Sequence, residues 1–338
     1  MAHLKEKIVI AMPIGHWSPL FKASLTSIRR QPDVYALAIM DASNDPRVKA
    51  DVQASGLTPD YWRMGPDAGQ AAAIAEGWRS CDGSVLAWLN GDDMLVPHVL
   101  GRVAERFSKD PGLDVLHGHS TISDASGNYL GLHPEVRSVD DFLLRSNVIS
   151  QPSCFMRREA LDHIGGLDES LHYTMDWDVW ARLYRAGRTF VYTDKVLSNV
   201  TWATGTKTAS LPWQRLVEIY HLLRRSHPPY PASKGVLGVL LHHLAFYMRN
   251  KTSLATAAAR ISDVPILNLS NSDRSSLLVQ IKNGDESVHC ACENARIGAE
   301  RDTFFLDFAK PVAPGAAVRI TLQTDADSRA VFDKASWG

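Results

Sequence analysis

The segment DGSVLAWLNGDD, Asp82–Asp93, decides the fold class of this chain. It opens with an Asp-Gly turn pair and continues with a short apolar run, Val85–Leu89, of the length of a buried strand. Two adjacent acids, Asp92 and Asp93, come soon after this run. Ligands of open α/β sheets bind beyond the carboxyl ends of the strands, so the two acids could hold a divalent cation against phosphate groups. They could equally cap the following helix, and the segment alone leaves both interpretations open.

Apolar runs of strand length alternate with helical patterns over the first two thirds of the chain. The other runs are Lys7–Met12, Val34–Met40, Tyr61–Met64, Val115–His119 and Cys154–Met156. This alternation predicts a mostly parallel sheet with helices on both faces, which is an α/β fold. Asp41 directly follows the run Val34–Met40, so acids follow two of the predicted strands.

The helices predicted in this part of the chain include the following three. One covers Ala71–Ser80, and a second, amphipathic helix is predicted within Pro134–Asn147. The third contains Trp177 and ends at Gly187, a natural C-cap, and Asp176 lies in its first turn. Free backbone N–H groups stabilise a carboxylate at that position, so a capping role for Asp176 is a serious alternative to a chemical one.

The composition is that of an ordinary soluble globular protein. The chain has 338 residues, 45% of them hydrophobic and 22% charged, and its net charge of −1 gives no indication of a nucleic-acid partner. The four cysteines lack zinc-site spacing, which suggests a reducing compartment. The N-terminus has no apolar signal core, and no run approaches the roughly 20 apolar residues of a membrane span. We therefore expect a cytoplasmic protein, either free or peripheral at the inner face of the membrane.

The last third of the chain changes in character. The pattern divides the chain into residues 1–210, a helical segment over 211–262 and a small β-rich module over 263–338 that supplies no catalytic acid. Within the module, Asn283-Gly284 predicts a hairpin between its first two strands. Leu211–Lys251 has apolar and basic residues that suit either a membrane surface or, with greater weight, packing on the preceding domain.

The acid-bearing segments occur in one order along the chain. They are IVIAMP, IMDASND, GPDAGQAAAIAEGW, VLAWLNGDDMLVP, QPSCFMRR and GGLDESLHYTMDWDVWARLYRAG. In these segments, from about Lys7 to Thr208, the chain resembles the family 2 glycosyltransferases. The resemblance implies the GT-A fold, a Rossmann-like and mostly parallel sheet with flanking helices.

The resemblance also implies a donor site for a nucleotide sugar. Asp41 matches the acid that binds the nucleotide base. Asp67, in the loop that closes over the base and ribose, is followed in the same motif by Gly69 and Gln70. The family often has polar residues after this Gly-Gln pair, where this chain has three alanines. The departing residues are Ala71, Ala72 and Ala75.

The acid pair and the later helix receive roles from the same resemblance. Asp92 and Asp93 match the metal-binding pair, whose last carboxylate holds Mg²⁺ or Mn²⁺ on the diphosphate. Many members have a further Asp where this chain has Asn90. Asp176 matches the catalytic base of the inverting members, and Asp178 is the fallback.

The implied activity is transfer of a sugar, with inversion, from a nucleotide-diphosphate sugar to an acceptor hydroxyl. The acceptor would be a glycan or a lipid-linked glycan in the assembly of a bacterial polysaccharide or glycoconjugate. One base without a covalent nucleophile is consistent with direct displacement. The alternative is a non-catalytic protein of this fold that binds carbohydrate or a nucleotide sugar. A dinucleotide oxidoreductase is disfavoured, because MPIGHWS after the first strand lacks the glycine fingerprint.

Overall fold

The computed structural model describes residues 6–123, 129–133, 138–202 and 212–226, the single positions 232, 236 and 237, and the backbone of strands between 260 and 337. The chain forms two compact units. The first comprises Met1–Gly127 and His133–His243, and the second comprises Asn128–Leu132 and Leu244–Gly338.

A mixed sheet lies at the centre of the first unit. Its strands are β1 (Ile8–Ile14), β2 (Tyr35–Asp41), β3 (Tyr61–Met64), β4 (Val85–Trp88), β5 (Met94–Leu95), β6 (Val115–Ser123), β8 (Cys154–Arg157) and β9 (Phe190–Thr201); β7 (Tyr129–Leu132) belongs to the second unit. The strand order is β3-β2-β1-β4-β8-β6-β9-β5. The first four strands are parallel to one another, and β8 runs antiparallel to both of its neighbours. The predicted α/β fold is confirmed.

Helices cover both faces of this sheet. They are α1 (Phe21–Arg29), α2 (Pro46–Ser55), α3 (Gln70–Arg79), α4 (Val99–Lys109), α5 (Arg158–His163), α6 (Met175–Arg185) and α7 (Trp213–Ser226). Residues of α1, α2 and α4 share one hydrophobic core, and residues of α3, α5, α6 and α7 share the other. Strand β1 alternates between them, with Ile8 and Ile10 in the first core and Val9 in the second. Burial on both faces explains why this strand is a continuous apolar run.

The prediction of a helix within Pro134–Asn147 is wrong for the residues that the structure describes there. Turns take its place, beginning where the side chain of Asp140 accepts a hydrogen bond from the Phe142 N–H at 2.7 Å. The N–H of Leu143 then bonds to the Asp140 carbonyl, three residues back instead of four. Asp competes for nearby backbone N–H groups in this way, which favours turns over helix interiors.

The second unit contains short antiparallel strands. They are β10 (Arg260–Asp263), β11 (Leu267–Asn268), β12 (Arg274–Lys282), β13 (Val288–Cys292), β14 (Ala295–Ala299), β15 (Thr303–Val312), β16 (Ala317–Val318), β17 (Ile320–Thr324) and β18 (Val331–Trp337). Strand β12 pairs with β15 and β18, whereas β13 pairs with β17 in another sheet. The predicted hairpin at Asn283-Gly284 is therefore wrong. Five residues separate the two strands, more than the two-residue loop that such a turn closes.

The helical segment is only partly described. Ile219, Leu222 and Leu223 of α7 are buried in the core of the first unit, which is what the packing alternative predicts for this helix. Most of the remaining residues of 211–262 lie outside the described part. The division at 210 and 262 stays a prediction. Among the described residues, no helix is both long and apolar enough to cross a membrane.

Candidate functional site

Three neighbouring strands bring the predicted acids to one edge of the sheet. Strand β1 lies between β2 and β4, and its Ile14 is in register with Asp41, the last residue of β2. Strand β4 is parallel to β1 and ends at Trp88, shortly before Asp92 and Asp93. Because the carboxyl ends of parallel strands meet at the same edge, Asp41 and the acid pair lie on either side of β1 at the position where α/β sheets bind ligands.

Asp41 is buried and held in a tight turn. Its Oδ1 accepts hydrogen bonds from the N–H of Ser43 at 2.9 Å and from the Ser43 hydroxyl at 2.6 Å. Its backbone carbonyl accepts from the N–H of Gly65 at 2.9 Å. Asp41 therefore also anchors the start of the β3–α3 loop, residues 65–69.

The β3–α3 loop is organised by Arg63 and Asp67. The Arg63 guanidinium donates to the carbonyls of Gly65 and Pro66 and forms an ion pair with Asp67 at 3.2 Å. The carboxylate of Asp67 also accepts from the N–H of Gly69 at 3.0 Å. Gly69 precedes α3 with φ of 126°, a conformation that side-chain-bearing residues rarely adopt. Asp67 thus stabilises the conformation of the loop to which it belongs.

The alanines that depart from the family pattern follow this loop directly. Ala71 and Ala75 are buried, and both belong to the hydrophobic core beneath α3. Polar side chains would be costly there without hydrogen-bond partners, so burial accounts for the small apolar residues at these two positions.

The acid pair is largely withdrawn from solvent. Asp93 is 4% exposed, and its two carboxylate oxygens accept from the Thr201 N–H and from the Asn90 amide, each at 3.1 Å. The backbone carbonyl of Asp92 accepts from the Thr201 hydroxyl at 2.6 Å. Burial raises the pKa of Asp92, and burial together with the neighbouring Asp92 charge raises the pKa of Asp93 well above its usual value. Two ionised carboxylates at this place repel each other.

A chain of side-chain amides connects the acid pair to the start of α3. Gln70 Nε2 donates to Asn90 Oδ1 at 2.8 Å, and Asn90 Nδ2 donates onward to Asp93. Gln151, which the sequence analysis did not single out, fixes Asn90 from the other side. Its Nε2 donates to the Trp88 carbonyl at 2.6 Å, and its Oε1 accepts from Asn90 at 3.4 Å.

The acid pair fits a divalent cation that takes its other ligands from substrate and water. Among the described residues, no group of three or more His, Cys, Asp or Glu side chains could hold a metal ion. Mg²⁺ in particular is usually held by one or two carboxylates together with phosphate oxygens. The chemistry of Asp92 and Asp93 fits this arrangement, and a cation would offset the burial cost and the Asp92 repulsion that together raise the pKa of Asp93.

Asp176 lies in the first turn of α6. Its Oδ1 accepts from the Trp177 N–H at 2.7 Å and its Oδ2 from the Asn147 side-chain amide at 3.2 Å. Burial raises the pKa of this carboxyl, while the positive charge of Arg215 on α7 acts to lower it. Asp176 therefore has a contact at its helix start and, in addition, the environment of a carboxylate with enhanced basicity.

Asp178, the alternative candidate for the base, forms an ion pair instead. Its carboxylate forms an ion pair with Arg182 at 2.7 Å, and Arg182 also donates to the carbonyls of Ile164 and Gly166, each at 2.8 Å. Asp178 is 9% exposed. This pair joins α6 to the turn after α5, which is a structural role.

The segment before α6 lies beside the β3–α3 loop. A Cβ atom added to Gly69 would lie 3.6 Å from the imidazole ring of His172. The backbone of His172 is held in turn by Glu218 of α7, whose carboxylate accepts from its N–H at 3.0 Å. Glu218 and Arg215 could not be identified from the sequence, because no local pattern distinguishes them from other polar residues of an amphipathic helix.

Comparison with known proteins identifies proteins that are similar to this chain in sequence. No model of a protein family matches the chain. It is 29% identical over 203 residues to the O-antigen biosynthesis protein RfbC of Myxococcus xanthus, which covers 55% of this chain and 15% of that protein. It is 25% identical over 189 residues to an uncharacterized glycosyltransferase of Nostoc sp., which covers 52% of this chain and 56% of that protein. The chain thus spans about half of one relative and a much smaller share of the other.

Comparison with solved structures gives the fold. The chain is similar to the crystal structure of residues 1–349 of S. aureus TarS in complex with UDP-GlcNAc, with a TM-score of 0.50 and 16% identity over 75% of this chain and 76% of that one. At this identity the likeness concerns the fold, and membership of family 2 stays a prediction. The sheet order, the acids at its carboxyl edge and these similarities lead to one conclusion: the chain has a GT-A-like glycosyltransferase fold.

Proposed function

We propose that the protein transfers a sugar from a nucleotide-diphosphate sugar to an acceptor hydroxyl. The observation that carries this proposal is the hydrogen-bond chain from Gln70 through Asn90 to Asp93. It connects the start of α3, directly after the β3–α3 loop, to the acid pair at the sheet edge where Asp41 also lies. A nucleotide diphosphate needs such a pair of adjoining subsites, one for the nucleoside and one for the charged phosphates.

The donor half of the site follows from these contacts. Asp41 and the β3–α3 loop with Asp67 and Gly69 would bind the base and ribose. Asp92 and Asp93 would hold Mg²⁺ or Mn²⁺ together with the diphosphate. When bound, such a cation supplies Lewis-acid neutralisation of the leaving diphosphate. The TarS structure of similar fold contains UDP-GlcNAc, which supports a nucleotide sugar as the donor class.

Asp176 would act as the general base. As the acceptor oxygen forms its bond to the anomeric carbon, the bond from that carbon to the diphosphate oxygen breaks and the hydroxyl proton passes to Asp176. This direct displacement inverts the anomeric centre through an oxocarbenium-like transition state. The raised pKa of Asp176 suits the task, because a base works best when its pKa lies nearer the working pH.

The acceptor and the setting extend the same proposal. We expect a glycan or a lipid-linked glycan as acceptor, within the assembly of a polysaccharide or glycoconjugate. The relative RfbC is named an O-antigen biosynthesis protein, which supports this setting. Action in the cytoplasm, with or without contact to the inner face of the membrane, stays a prediction.

The experiment that tests the proposal is a donor panel. The full chain is incubated with UDP and GDP sugars, with Mn²⁺, with Mg²⁺ or with a chelator, and release of the nucleoside diphosphate is measured. We expect release with one donor class, dependent on the cation. Calorimetric binding of a nucleotide sugar, without release and without transfer to any offered acceptor glycan, would instead favour the non-catalytic binding protein.

A further inference from the structure

Glu218 lies in the middle of α7. Its carboxylate accepts hydrogen bonds from three successive backbone N–H groups of the segment before α6. The donors are His172 at 3.0 Å, Tyr173 at 2.9 Å and Thr174 at 3.1 Å. The hydroxyl of Thr174 also donates to it, at 3.2 Å. Hydrogen bonds to an ionised carboxylate are about twice as strong as those between neutral groups, so this contact fixes the backbone of residues 172–174.

This contact does not cap the first turn of α6 but holds the three residues before that turn. The residue before an α-helix commonly offers its own side-chain oxygen to the N–H groups of the first turn. Thr174 occupies that position in α6 and makes no such bond within the helix. Its hydroxyl donates to Glu218 instead, across 44 residues of sequence. The start of α6 therefore depends on α7.

The segment that Glu218 holds has a candidate site residue at each end. Asp176 follows Thr174 by two residues, and the ring of His172 packs beside Gly69 of the β3–α3 loop. Arg215 lies one helical turn before Glu218, close enough to Asp176 for its charge to act on that carboxyl. Helix α7 thus contacts residues 172–174 through the anionic side chain of Glu218 and influences Asp176 through the cationic side chain of Arg215.

We propose that Glu218 is a positioning residue for sugar transfer. Its carboxylate fixes residues 172–174 so that Asp176 stays aligned with the acceptor hydroxyl and His172 stays against the β3–α3 loop. The inference rests on the proposed function, because it takes Asp176 as the base. A purely structural role predicts something different: loss of the carboxylate would lower the melting temperature and weaken donor binding and turnover together.

The test compares Glu218→Gln with a matched control, Glu105→Gln. Glutamine keeps the shape of Glu218 but loses its charge and one of its two acceptor oxygens, so it is less disruptive than alanine. Glu105 forms an exposed ion pair with Lys109 on α4, away from the site. A small misplacement of a reacting group can cost about 100-fold in rate. We expect kcat to fall about 10- to 100-fold in Glu218→Gln, with donor Kd within about twofold, and the control to match the wild type.

Deuterium uptake supplies a readout that does not require activity. Peptides that cover residues 168–178 should exchange faster in Glu218→Gln, while peptides from the sheet should exchange as in the wild type. Unchanged uptake in this segment would overturn the proposal, and so would a kcat within about twofold of the wild type. A parallel fall in melting temperature, donor binding and turnover would also overturn it, in favour of the structural role. Failure of the wild type itself to release nucleoside diphosphate from any donor would refute the proposed function, whatever the exchange result.

Discussion

The side-chain amide of Gln70 donates a hydrogen bond to the side-chain oxygen of Asn90 at 2.8 Å. The two residues belong to different elements, since Gln70 begins α3 and Asn90 follows β4. Asn90 passes the connection on to the buried carboxylate of Asp93. A shift of the start of α3 would reach the acid pair through Asn90, because the amide of Asn90 accepts from Gln70 and donates to Asp93.

This contact predicts a coupling between Gln70 and Asn90 in donor binding. A neutral hydrogen bond contributes about 0.5–1.5 kcal/mol, so Gln70→Ala should weaken binding of the nucleotide with Mn²⁺ by roughly 2- to 13-fold. Asn90→Ala should weaken it further, because Asn90 also supports Asp93. The double variant should lose less than the sum of the two single losses. Calorimetry on the three variants and the wild type measures this coupling, and additive losses would mean that the two residues act independently.

Asp93→Ala should abolish the cation-dependent part of donor binding and leave the fold intact. Asp93 is the buried member of the acid pair, and no cluster of three ligands in the described residues could replace it. Asp82→Ala is the matched control, since Asp82 is an exposed acid in the turn before β4. The measurement is nucleotide affinity with Mn²⁺ and with a chelator, beside a circular dichroism spectrum. An unchanged response to Mn²⁺ in Asp93→Ala would remove the acid pair from the cation site.

The pH dependence of turnover should report the environment of Asp176. Burial raises the pKa of this carboxyl above the ordinary value of 3.8, and a base works only when it is deprotonated. We therefore expect kcat to rise with pH through that raised pKa. Because the charge of Arg215 lowers the pKa of Asp176, Arg215→Gln should move this acid limb to higher pH. Arg224→Gln, near the other end of α7, serves as the control. An acid limb at the same pH in all three proteins would contradict this account.

The same pKa shift has a consequence for stability. Between pH 3.8 and the raised pKa of the folded state, the native protein binds the Asp176 proton more than the unfolded chain does. The contribution of Asp176 to the free energy of unfolding therefore falls as the pH rises through this window. Above the window the ionised carboxylate carries the desolvation cost that raises its pKa. Asp176→Asn should then be at least as stable as the wild type at neutral pH, and urea titrations at several pH values measure the difference.

Much of the fold could be predicted because its signals are local. A strand buried on both faces is a continuous apolar run, and a parallel strand that ends in an acid places that acid at the ligand edge. β1, β2 and β4 follow this rule, and so do Asp41 and the acid pair. The helix predicted within Pro134–Asn147 failed for an equally local reason, since the Asp140 side chain competes for backbone N–H groups there.

The contacts between segments could not be predicted in this way. Gln70 and Asn90 are 20 residues apart, and Glu218 lies 44 to 46 residues from the N–H groups that it accepts. Nothing in an amphipathic pattern indicates which polar side chain of a helix meets a distant backbone. The β12–β13 hairpin failed for a related reason, because the turn chemistry of Asn283-Gly284 does not determine which sheet each strand joins.

The central claim is that Asp176 is the base of a cation-dependent sugar transfer. The measurement that tests it most directly is release of nucleoside diphosphate from the accepted donor, with Mn²⁺ and acceptor, by the wild type and by Asp176→Asn. A general base contributes about 10²- to 10⁴-fold in rate, so turnover by Asp176→Asn should fall by that factor at unchanged donor affinity and undiminished melting temperature. Near-normal turnover by this variant would contradict the account and would exclude Asp176 as the base.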